Sequence, residues 1–269
     1  MGSNLDQLGR IFDECAKFYY SANPFVENQP FWKNEGFLKR RVVVFSPHPD
    51  DETLACGGTI AKTIAEGNDV YVVFITDGRN SHKVALGICR NPSPEEIRNV
   101  RRKEAEEVGK TLGVKQGNLL FLDFEDGTLS FRIPEAKEQV KENLLKLKPD
   151  KIFAPDRADL HKDHHSANLI ILSAVKELAL NPSLYTYLIW SNRWRRIRRT
   201  LTFPNRVKID ISHFLALKLK AIGMYRSQVS LLFPSQRKPI LDEFFLSRFM
   251  EPTESFIVES ARSSESMVP

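Results

Sequence analysis

The sequence predicts an α/β fold, with a mostly parallel, Rossmann-like sheet and helices on both of its faces. Short aliphatic runs, such as residues 41–45 and 70–75, alternate along the chain with longer segments that carry apolar residues at helical spacing. This alternation is typical of strand–helix–strand units, whose parallel strands are buried between two layers of helices. At 269 residues the chain could form one large domain or two small ones, and the alternation favours a single sheet.

We expect three segments along the chain. Residues 1–40 are predicted to form an amphipathic helix over about 4–21, which ends at Asn23-Pro24, followed by an aromatic connector. Residues 41–260 are predicted to form a single α/β domain. The polar residues 261–269 are predicted to be a disordered tail.

Apolar runs bounded by turn residues predict the strands of this domain, and longer periodic segments predict its helices. The predicted strands cover residues 41–46, 70–75, 118–123, 151–155, 185–190 and 206–211. The predicted helices run from Glu52 to near Gly67, over 94–112, over 134–147, from just after His164, and over 212–226. Residues 79–94, which include a glycine and two prolines, are predicted to be a loop.

The first polar motif, Ser46–Glu52, directly follows the apolar run 41–45. Open α/β proteins bind their ligands in the crevice at the carboxyl ends of the strands. His48 and Asp51 are three residues apart, so a tight turn can direct both side chains to one ion. From the residues alone, either Asp50 or Asp51 could be the carboxylate ligand.

The second polar motif, Asp156–His165, follows the predicted strand 151–155. Its His161 and His164 are also three residues apart, and a long apolar helical pattern begins after them. His164 would complete a set of two histidines and one carboxylate, which leaves the fourth position of a catalytic zinc ion open for water. Such ligands would also accept other divalent metals. His161 and the aspartate that does not bind the ion would remain as acid or base groups.

Each motif alone is weak evidence for a site. Two histidines at this spacing can simply lie on the first turn of a helix, and one of two adjacent aspartates often caps a helix. Both motifs follow apolar strands, however, and together they contain four of the six histidines of the chain. The combination therefore indicates a hydrolytic metal site.

Several segments together carry a family resemblance. The stretch Pro47–Glu52, followed by Gly57–Thr59, resembles the signature of the LmbE-like/PIG-L family of zinc-dependent de-N-acetylases. Arg101–Glu104 resembles the family's R-x-x-E helix, and Phe121–Gly127 resembles its next strand and acidic turn. His161–His164 is similar to the family's H-P-D-H, with lysine in place of proline. The resemblance covers about residues 40 to 180.

The resemblance implies a zinc-dependent de-N-acetylase with a single catalytic domain over residues 41–260. It implies that a zinc ion is held by a two-histidine, one-aspartate set: His48, Asp51 and His164. Asp50 would be the base that takes a proton from a water molecule. His161 would stabilise the oxyanion or protonate the departing amine.

Substrate binding requires hydrogen-bonding groups around the sugar hydroxyls. The resemblance implies that Arg101 and Asp126 supply such groups. Arg101 could instead lie on a solvated helix face beside Arg98 and Arg102. Arg79, which follows the second predicted strand, is a further candidate.

A basic run, Arg193–Arg199, contains five arginines in seven positions and follows Trp190. It could contact phosphate groups or an anionic bilayer. It could also be a solvated loop or a contact between subunits of a homo-oligomer. The net charge of +5 is modest and no recognition fold accompanies the run, so we do not expect nucleic-acid binding.

The cysteine content and the lack of long apolar stretches bear on where in the cell the protein is expected. The three cysteines, Cys15, Cys56 and Cys89, have no paired spacing, which argues against disulfides and fits a reducing compartment. No apolar stretch approaches the roughly 20 residues that cross a bilayer, and no basic start with an apolar core marks a signal peptide. We therefore expect a cytoplasmic protein, which the basic run could place at the membrane periphery.

We expect a metal-dependent hydrolase that removes an N-acetyl group from an amino-sugar conjugate, such as an N-acetylglucosamine-containing lipid, glycoside or oligosaccharide. One alternative is an amidase that acts on a non-sugar amide or a thiol conjugate. An alternative of another class is a nucleotide-binding Rossmann-like protein that uses Gly57-Gly58 as a phosphate loop. The G-x-G-x-x-G pattern is absent and no Gly-Lys-Ser/Thr ending follows Gly57-Gly58, which argues against that alternative.

Overall fold

The computed structural model of the protein describes residues 40–190 and 206–259. Seven strands in these residues form one sheet in the order β3-β2-β1-β4-β5-β7-β6. They are β1 (Arg41–Ser46), β2 (Asp69–Thr76), β3 (Leu119–Phe124), β4 (Lys151–Pro155), β5 (Ser183–Tyr187), β6 (Arg206–Asp210) and β7 (Thr253–Glu259). Strands β1 to β5 pair in parallel, and β7 runs antiparallel to both of its neighbours. The predicted mostly parallel α/β sheet is confirmed.

Eight α-helices accompany the sheet within the described residues. They are α1 (Asp51–Ala65), α2 (Ser81–Leu86), α3 (Pro94–Thr111), α4 (Ile133–Leu147), α5 (Lys162–Glu177), α6 (Leu215–Met224), α7 (Arg226–Val229) and α8 (Glu243–Leu246). Helix α3 begins with a capping box, in which Ser93 and Glu96 satisfy each other's main-chain amides. Pro94 occupies the first helical position, where its missing N–H has no cost.

Alternating residues of β1 separate two apolar layers. Val42 and Val44 lie in one layer with side chains of α1, α3 and α6. Val43 and Phe45 lie in the other layer with side chains of α4 and α5. Successive side chains of a strand point to opposite faces, so a strand covered on both faces has to be apolar throughout. The predicted helices on both faces of the sheet are confirmed.

The order of the strands reverses between β1 and β4. From β1 the chain passes through α1 to β2 on one side, whereas from β4 it passes through α5 to β5 on the other. Helices that diverge from two adjacent strands leave a crevice at the carboxyl ends of those strands. The two polar motifs follow β1 and β4, so the fold brings both of them to this crevice.

Four expectations about individual elements need correction. The strand predicted at 185–190 lies at Ser183–Tyr187, and helix α2 occupies part of the predicted loop 79–94. The helix predicted at 212–226 starts as a 3₁₀ turn and ends at Met224. Strand β7 was not predicted at all. Its burial pattern is irregular, and its pairing with β5 and β6 depends on partners distant in sequence.

Three predictions fall on other parts of the chain. The N-terminal helix at 4–21, the basic run Arg193–Arg199 and the tail 261–269 lie outside the described residues. Among the helices that the structure describes, none is both long enough and apolar enough to cross a membrane.

Candidate metal and catalytic site

The turn between β1 and α1 places His48, Asp50 and Asp51 at the crevice, all of them buried. Asp50 is the N-cap residue of α1, and its carbonyl accepts the Leu54 amide at 2.9 Å. Its φ of 134° lies in a region that non-glycine residues rarely adopt, at a cost of about 1–3 kcal/mol. Such a conformation persists only where the surrounding structure holds the backbone in place, and it is common at functional sites.

Three possible ligand atoms meet beside this turn. Nδ1 of His48 lies 3.1 Å from Oδ2 of Asp51, and Nε2 of His164 lies 3.0 Å from the same oxygen. The two nitrogens are 3.2 Å apart. His164 comes from the first turn of α5, directly after β4 and its loop. The structure thus brings the three predicted metal-ligating residues together.

This triangle of atoms fits a tetrahedral zinc ion. Zinc binds histidine nitrogen and carboxylate oxygen at about 2.0–2.2 Å, so neighbouring ligand atoms lie about 3.3 Å apart. The three separations of 3.0, 3.1 and 3.2 Å are close to that value. The described residues contain two further sets of three side chains in which one possible ligand atom per residue lies within 4.8 Å of the other two. One set is His48, His161 and His164, and the other is His48, Asp126 and Asp163.

Carboxylates behind the two histidines orient their rings. Nε2 of His48, the nitrogen outside the triangle, lies 3.2 Å from Asp126 and 3.3 Å from Asp163. Nδ1 of His164 lies 3.3 Å from Asp159. Main-chain amides donate to both Asp159 and Asp163, which fixes these carboxylates in turn. Partners of this kind orient a histidine that binds a metal and fix which of its ring nitrogens carries the proton.

The charges of this cluster favour a cation at its centre. Burial by itself raises the pKa of Asp51, but His164 and His48 lower it well below its usual range. Burial lowers the pKa of His164, but Asp51 and Asp159 raise it to about 9. Against the effect of burial, Asp126 raises the pKa of His48. The buried carboxylates therefore attract positive charge, either protons or a metal ion.

Asp50 faces an arginine instead of the histidines. Its Oδ2 lies 3.0 Å from Nη2 of Arg101. Burial raises the pKa of Asp50 to about 7, although the Arg101 guanidinium opposes the shift. A carboxylate in this range suits general-base catalysis near neutral pH. The structure thus gives the adjacent Asp50 and Asp51 different partners.

Arg101 reaches the turn from helix α3. Its guanidinium donates to the carbonyl of Pro49 and, at 3.2 Å, to that of Gly78. Its side chain is only 3% exposed. Little of it is open to a ligand, so its contacts favour positioning of Asp50 over direct contact with a substrate.

His161 lies at the start of α5, beside the triangle. Its ring centroid is 4.6 Å from that of His48 and 5.1 Å from that of His164. Its Nδ1 accepts the amide of Asp163 at 3.3 Å, which leaves the proton of the neutral ring on Nε2. Burial and the two neighbouring histidines lower the pKa of His161 to about 4. At neutral pH it is therefore a hydrogen-bond donor through Nε2.

The other predicted substrate-binding residues border the same crevice. Asp126 is buried, and its Oδ2 accepts the Asn80 amide at 3.1 Å. Burial acts against ionisation of Asp126, but His48 lowers its pKa to about 2. Arg79 is half-buried, and its Nη2 lies 2.6 Å from Oδ2 of Asp77. Both side chains are thus held by the loops that follow β2 and β3.

Two buried contacts around the turn were not predicted from the sequence. Oε1 of Glu52 accepts the Tyr225 hydroxyl at 2.5 Å, and Oε2 of Glu104 accepts the Ser227 hydroxyl at 2.6 Å. Tyr225 and Ser227 lie at the junction of α6 and α7. The polar residues after Met224 indicate from the sequence that the apolar helix α6 ends there. No local pattern indicates that Tyr225 and Ser227 bond to Glu52 and Glu104, which are distant in sequence.

Gly57-Gly58 lies inside helix α1, not in a phosphate-binding loop. The amides of Gly58 and Thr59 donate to the carboxylate of Glu254 at 2.9 and 2.8 Å. A Cβ on Gly58 would lie 2.5 Å from the Ile211 side chain, so close packing explains this glycine. These contacts argue against the nucleotide-binding alternative.

Comparison with known proteins agrees with this geometry. Residues 43–175 match the family model described as PIG-L: GlcNAc-PI de-N-acetylase. A Bacillus cereus protein named "Probable N-acetyl-alpha-D-glucosaminyl L-malate deacetylase 2" is 30% identical over 71% of this chain and 84% of its own length. The diacetylchitobiose deacetylase of Thermococcus kodakarensis is 29% identical over 81% of each chain.

A solved structure has the same fold. The N,N'-diacetylchitobiose deacetylase of Pyrococcus horikoshii superposes with a TM-score of 0.61, at 24% identity, over 96% of this chain and 94% of that one. The segment that matches the family model contains both polar motifs, and the similarity to the Bacillus cereus protein extends across most of both chains. The expected fold, enzyme class and family are confirmed. The chain belongs to the PIG-L family of de-N-acetylases.

Proposed function

We propose that the protein is a zinc-dependent de-N-acetylase that acts on a conjugate of N-acetylglucosamine. The observation that carries this proposal is the triangle of His48 Nδ1, Asp51 Oδ2 and His164 Nε2, with Asp50 beside it. The names of the two relatives refer to an N-acetyl-glucosaminyl malate and to diacetylchitobiose, which supports an acetylated amino sugar as substrate.

His48, Asp51 and His164 would hold the zinc ion, with the His48 ring oriented by Asp126 and Asp163 and the His164 ring by Asp159. When bound, zinc polarises the amide carbonyl and lowers the pKa of a water molecule towards about 7. Two imidazoles and one carboxylate suit this ion, although iron, cobalt or nickel would also bind such ligands. Metal analysis of the purified protein distinguishes these ions.

Asp50 is the proposed general base. It is adjacent to the ligand Asp51, and Arg101 holds its carboxylate at 3.0 Å. Asp50 takes a proton from the attacking water as the new carbon–oxygen bond forms. It returns the proton to the amide nitrogen as the carbon–nitrogen bond breaks, so the products are acetate and the free amine.

His161 is the proposed donor to the carbonyl oxygen. Because its Nδ1 accepts the Asp163 amide, its Nε2–H is available for the negative charge that develops on that oxygen. Loss of one such donor typically lowers kcat by about 10²–10³-fold. The second predicted role, protonation of the departing amine, needs a protonated ring, which the lowered pKa of His161 disfavours at neutral pH.

Asp126 and Arg79 are the proposed contacts to the sugar and its substituent. Both side chains lie on the loops that follow β2 and β3, at the border of the crevice. Arg101 is proposed to act on the reaction by holding the carboxylate of Asp50 in place. A phosphate or anionic-lipid contact through Arg193–Arg199 and a homo-oligomer stay predictions from the sequence.

Acetate release tests this proposal. Zinc-reconstituted wild type, Asp50→Ala and a control variant are incubated with free N-acetylglucosamine, diacetylchitobiose, a nucleotide-linked sugar and an inositol-linked sugar. The control is Asp123→Ala, which removes an exposed carboxylate that pairs with Arg102. We expect wild type and control to release acetate and Asp50→Ala to be about 10²–10⁴-fold slower with zinc retained. No release from any compound by zinc-loaded wild type would contradict the proposed substrate class.

A further inference from the structure

We propose that Tyr225 is a positioning residue, which holds the general base Asp50 in place through the carboxylate of Glu52. This inference rests on the proposed role of Asp50. It assigns a part in the reaction to the α6–α7 junction, which supplies neither a metal ligand nor an acid or base.

The first contact in this chain joins Tyr225 to Glu52. The Tyr225 hydroxyl donates to Oε1 of Glu52 at 2.5 Å, and the two side chains are 1% and 2% exposed. A buried carboxylate needs hydrogen-bond donors, because water does not solvate it. Thr53 donates to the same oxygen at 2.6 Å. Tyr225 is therefore the donor from a distant element that fixes this end of the carboxylate.

The second contact joins Glu52 to the main chain of Asp50. Oε2 of Glu52 accepts the Asp50 amide at 3.0 Å and the Ser46 hydroxyl at 3.1 Å. This amide belongs to the residue whose φ is 134°. The Glu52 carboxylate thus holds the backbone in the conformation that points the Asp50 side chain towards Arg101. A carboxylate that rotates after the loss of Tyr225 would release this amide.

Helix α3 anchors the Tyr225 segment from the other side. Ser227 donates to Glu104 twice, through its amide at 2.8 Å and its hydroxyl at 2.6 Å. Glu104 follows Arg101 by three residues, so both side chains leave the same face of α3. An ion pair joins Arg101 to Asp50, and hydrogen bonds join Asp50 to Glu52, Glu52 to Tyr225 and Ser227 to Glu104. The main chain closes the circuit between Tyr225 and Ser227 and, along α3, between Glu104 and Arg101. The circuit fixes both ends of Asp50, its amide and its carboxylate, relative to α3.

A second buried tyrosine provides a matched comparison. The Tyr187 hydroxyl donates to the carbonyl of Phe45 at 2.6 Å, and its side chain is 2% exposed. Phe45 lies in β1, where it pairs with Val73 of β2. Loss of the Tyr187 hydroxyl should lower stability without freeing the β1–α1 turn. Tyr187→Phe is thus a control for the general effect of removing a buried hydroxyl.

The test compares Tyr225→Phe with Tyr187→Phe in the zinc-loaded full chain. We expect Tyr225→Phe to lower kcat at least tenfold, with KM and zinc content within twofold of wild type. Tyr187→Phe should keep kcat within twofold. A kcat of Tyr225→Phe within twofold of either wild type or Tyr187→Phe would overturn the proposal. Glu52→Ala is a second variant with the same expected loss, because it removes the carboxylate that accepts from both Tyr225 and Asp50.

Crystal structures of the same variants separate this inference from the proposed function. In Tyr225→Phe we expect the Asp50 φ to leave the region near 134° and its carboxylate to separate from Arg101. An unchanged Asp50 in that variant overturns the positioning role, whatever the activity of wild type. A displaced Asp50 combined with inactive zinc-loaded wild type supports the positioning contact and contradicts the proposed reaction instead.

Discussion

Nη2 of Arg101 lies 3.0 Å from Oδ2 of Asp50, and this pair joins helix α3 to the turn after β1. The same guanidinium donates to the carbonyls of Pro49 and Gly78. One planar guanidinium therefore holds the Asp50 carboxylate, the backbone at Pro49 and the backbone at Gly78 in fixed relative positions. A lysine carries the charge but cannot reproduce this fork.

The first prediction follows from this pair. We expect Arg101→Lys to lower kcat by about 10–100-fold while zinc content stays near one ion per chain, because misplacement of a catalytic group by about 1 Å is costly. Arg102→Lys is the control, because Arg102 is more exposed and pairs with Asp123 at 3.1 Å. Steady-state kinetics measures both variants. Equal losses in both would show that the guanidinium of Arg101 has no specific role.

The second prediction concerns Asp159, which lies 3.3 Å from Nδ1 of His164. We expect Asp159→Asn to weaken zinc binding by about 10–100-fold, since a carboxylate behind a ligating histidine orients its ring and strengthens its basicity. Competition with a chromophoric chelator measures the affinity. Asp210→Asn, at the end of β6 and bonded to the Ser212 amide, should leave the zinc affinity unchanged. An unchanged zinc affinity in Asp159→Asn would show that this carboxylate does not support metal binding.

The third prediction is a loss of stability in acid that depends on His82. This side chain is buried in α2 against Phe233, and burial, followed by Arg101, lowers the pKa of His82 to about 4. Between pH 6.5 and that value, the unfolded chain binds a proton at His82 that the folded protein does not. The free energy of unfolding therefore falls as the pH falls through this window.

Urea unfolding at pH 7.5 and pH 5 measures this effect. We expect wild type to lose about 1–2 kcal/mol more than His82→Gln between the two pH values. Wild type and His82→Gln share all other groups that titrate in this range, so the difference between their losses of unfolding free energy reports on His82. The same loss in both chains would show that His82 is not responsible.

The fourth prediction concerns the packing of α1. A Cβ on Gly58 would lie 2.5–2.8 Å from three atoms of Ile211, which is fully buried. We expect Gly58→Ala to destabilise the fold by about 1–3 kcal/mol, because overpacking outweighs the gain in helix propensity. Gly117→Ala, whose Cβ would meet nothing within 4 Å, is the control. Chemical unfolding that shows Gly58→Ala as stable as Gly117→Ala would contradict this packing.

The location of the site could be predicted because both motifs follow strands. A buried parallel strand is a short, continuous apolar run, and the crevice lies at its carboxyl end. The residues around 41–51 and 151–164 therefore indicated a shared site before any contact was known. Strand β7 and helix α2 could not be predicted in this way. The first has a mixed apolar and polar pattern, and the second is a short helix in a segment rich in turn residues.

The sequence by itself determined the fold class and the pool of residues from which the site is built. Tertiary structure decided how these residues are used. It directs Asp51 to His164 and Asp50 to Arg101, and it joins Glu52 to Tyr225 across 173 residues. The physical reason is that periodicity and turn chemistry depend on neighbours within a few residues. The partner of a buried polar group depends instead on how whole helices and strands pack.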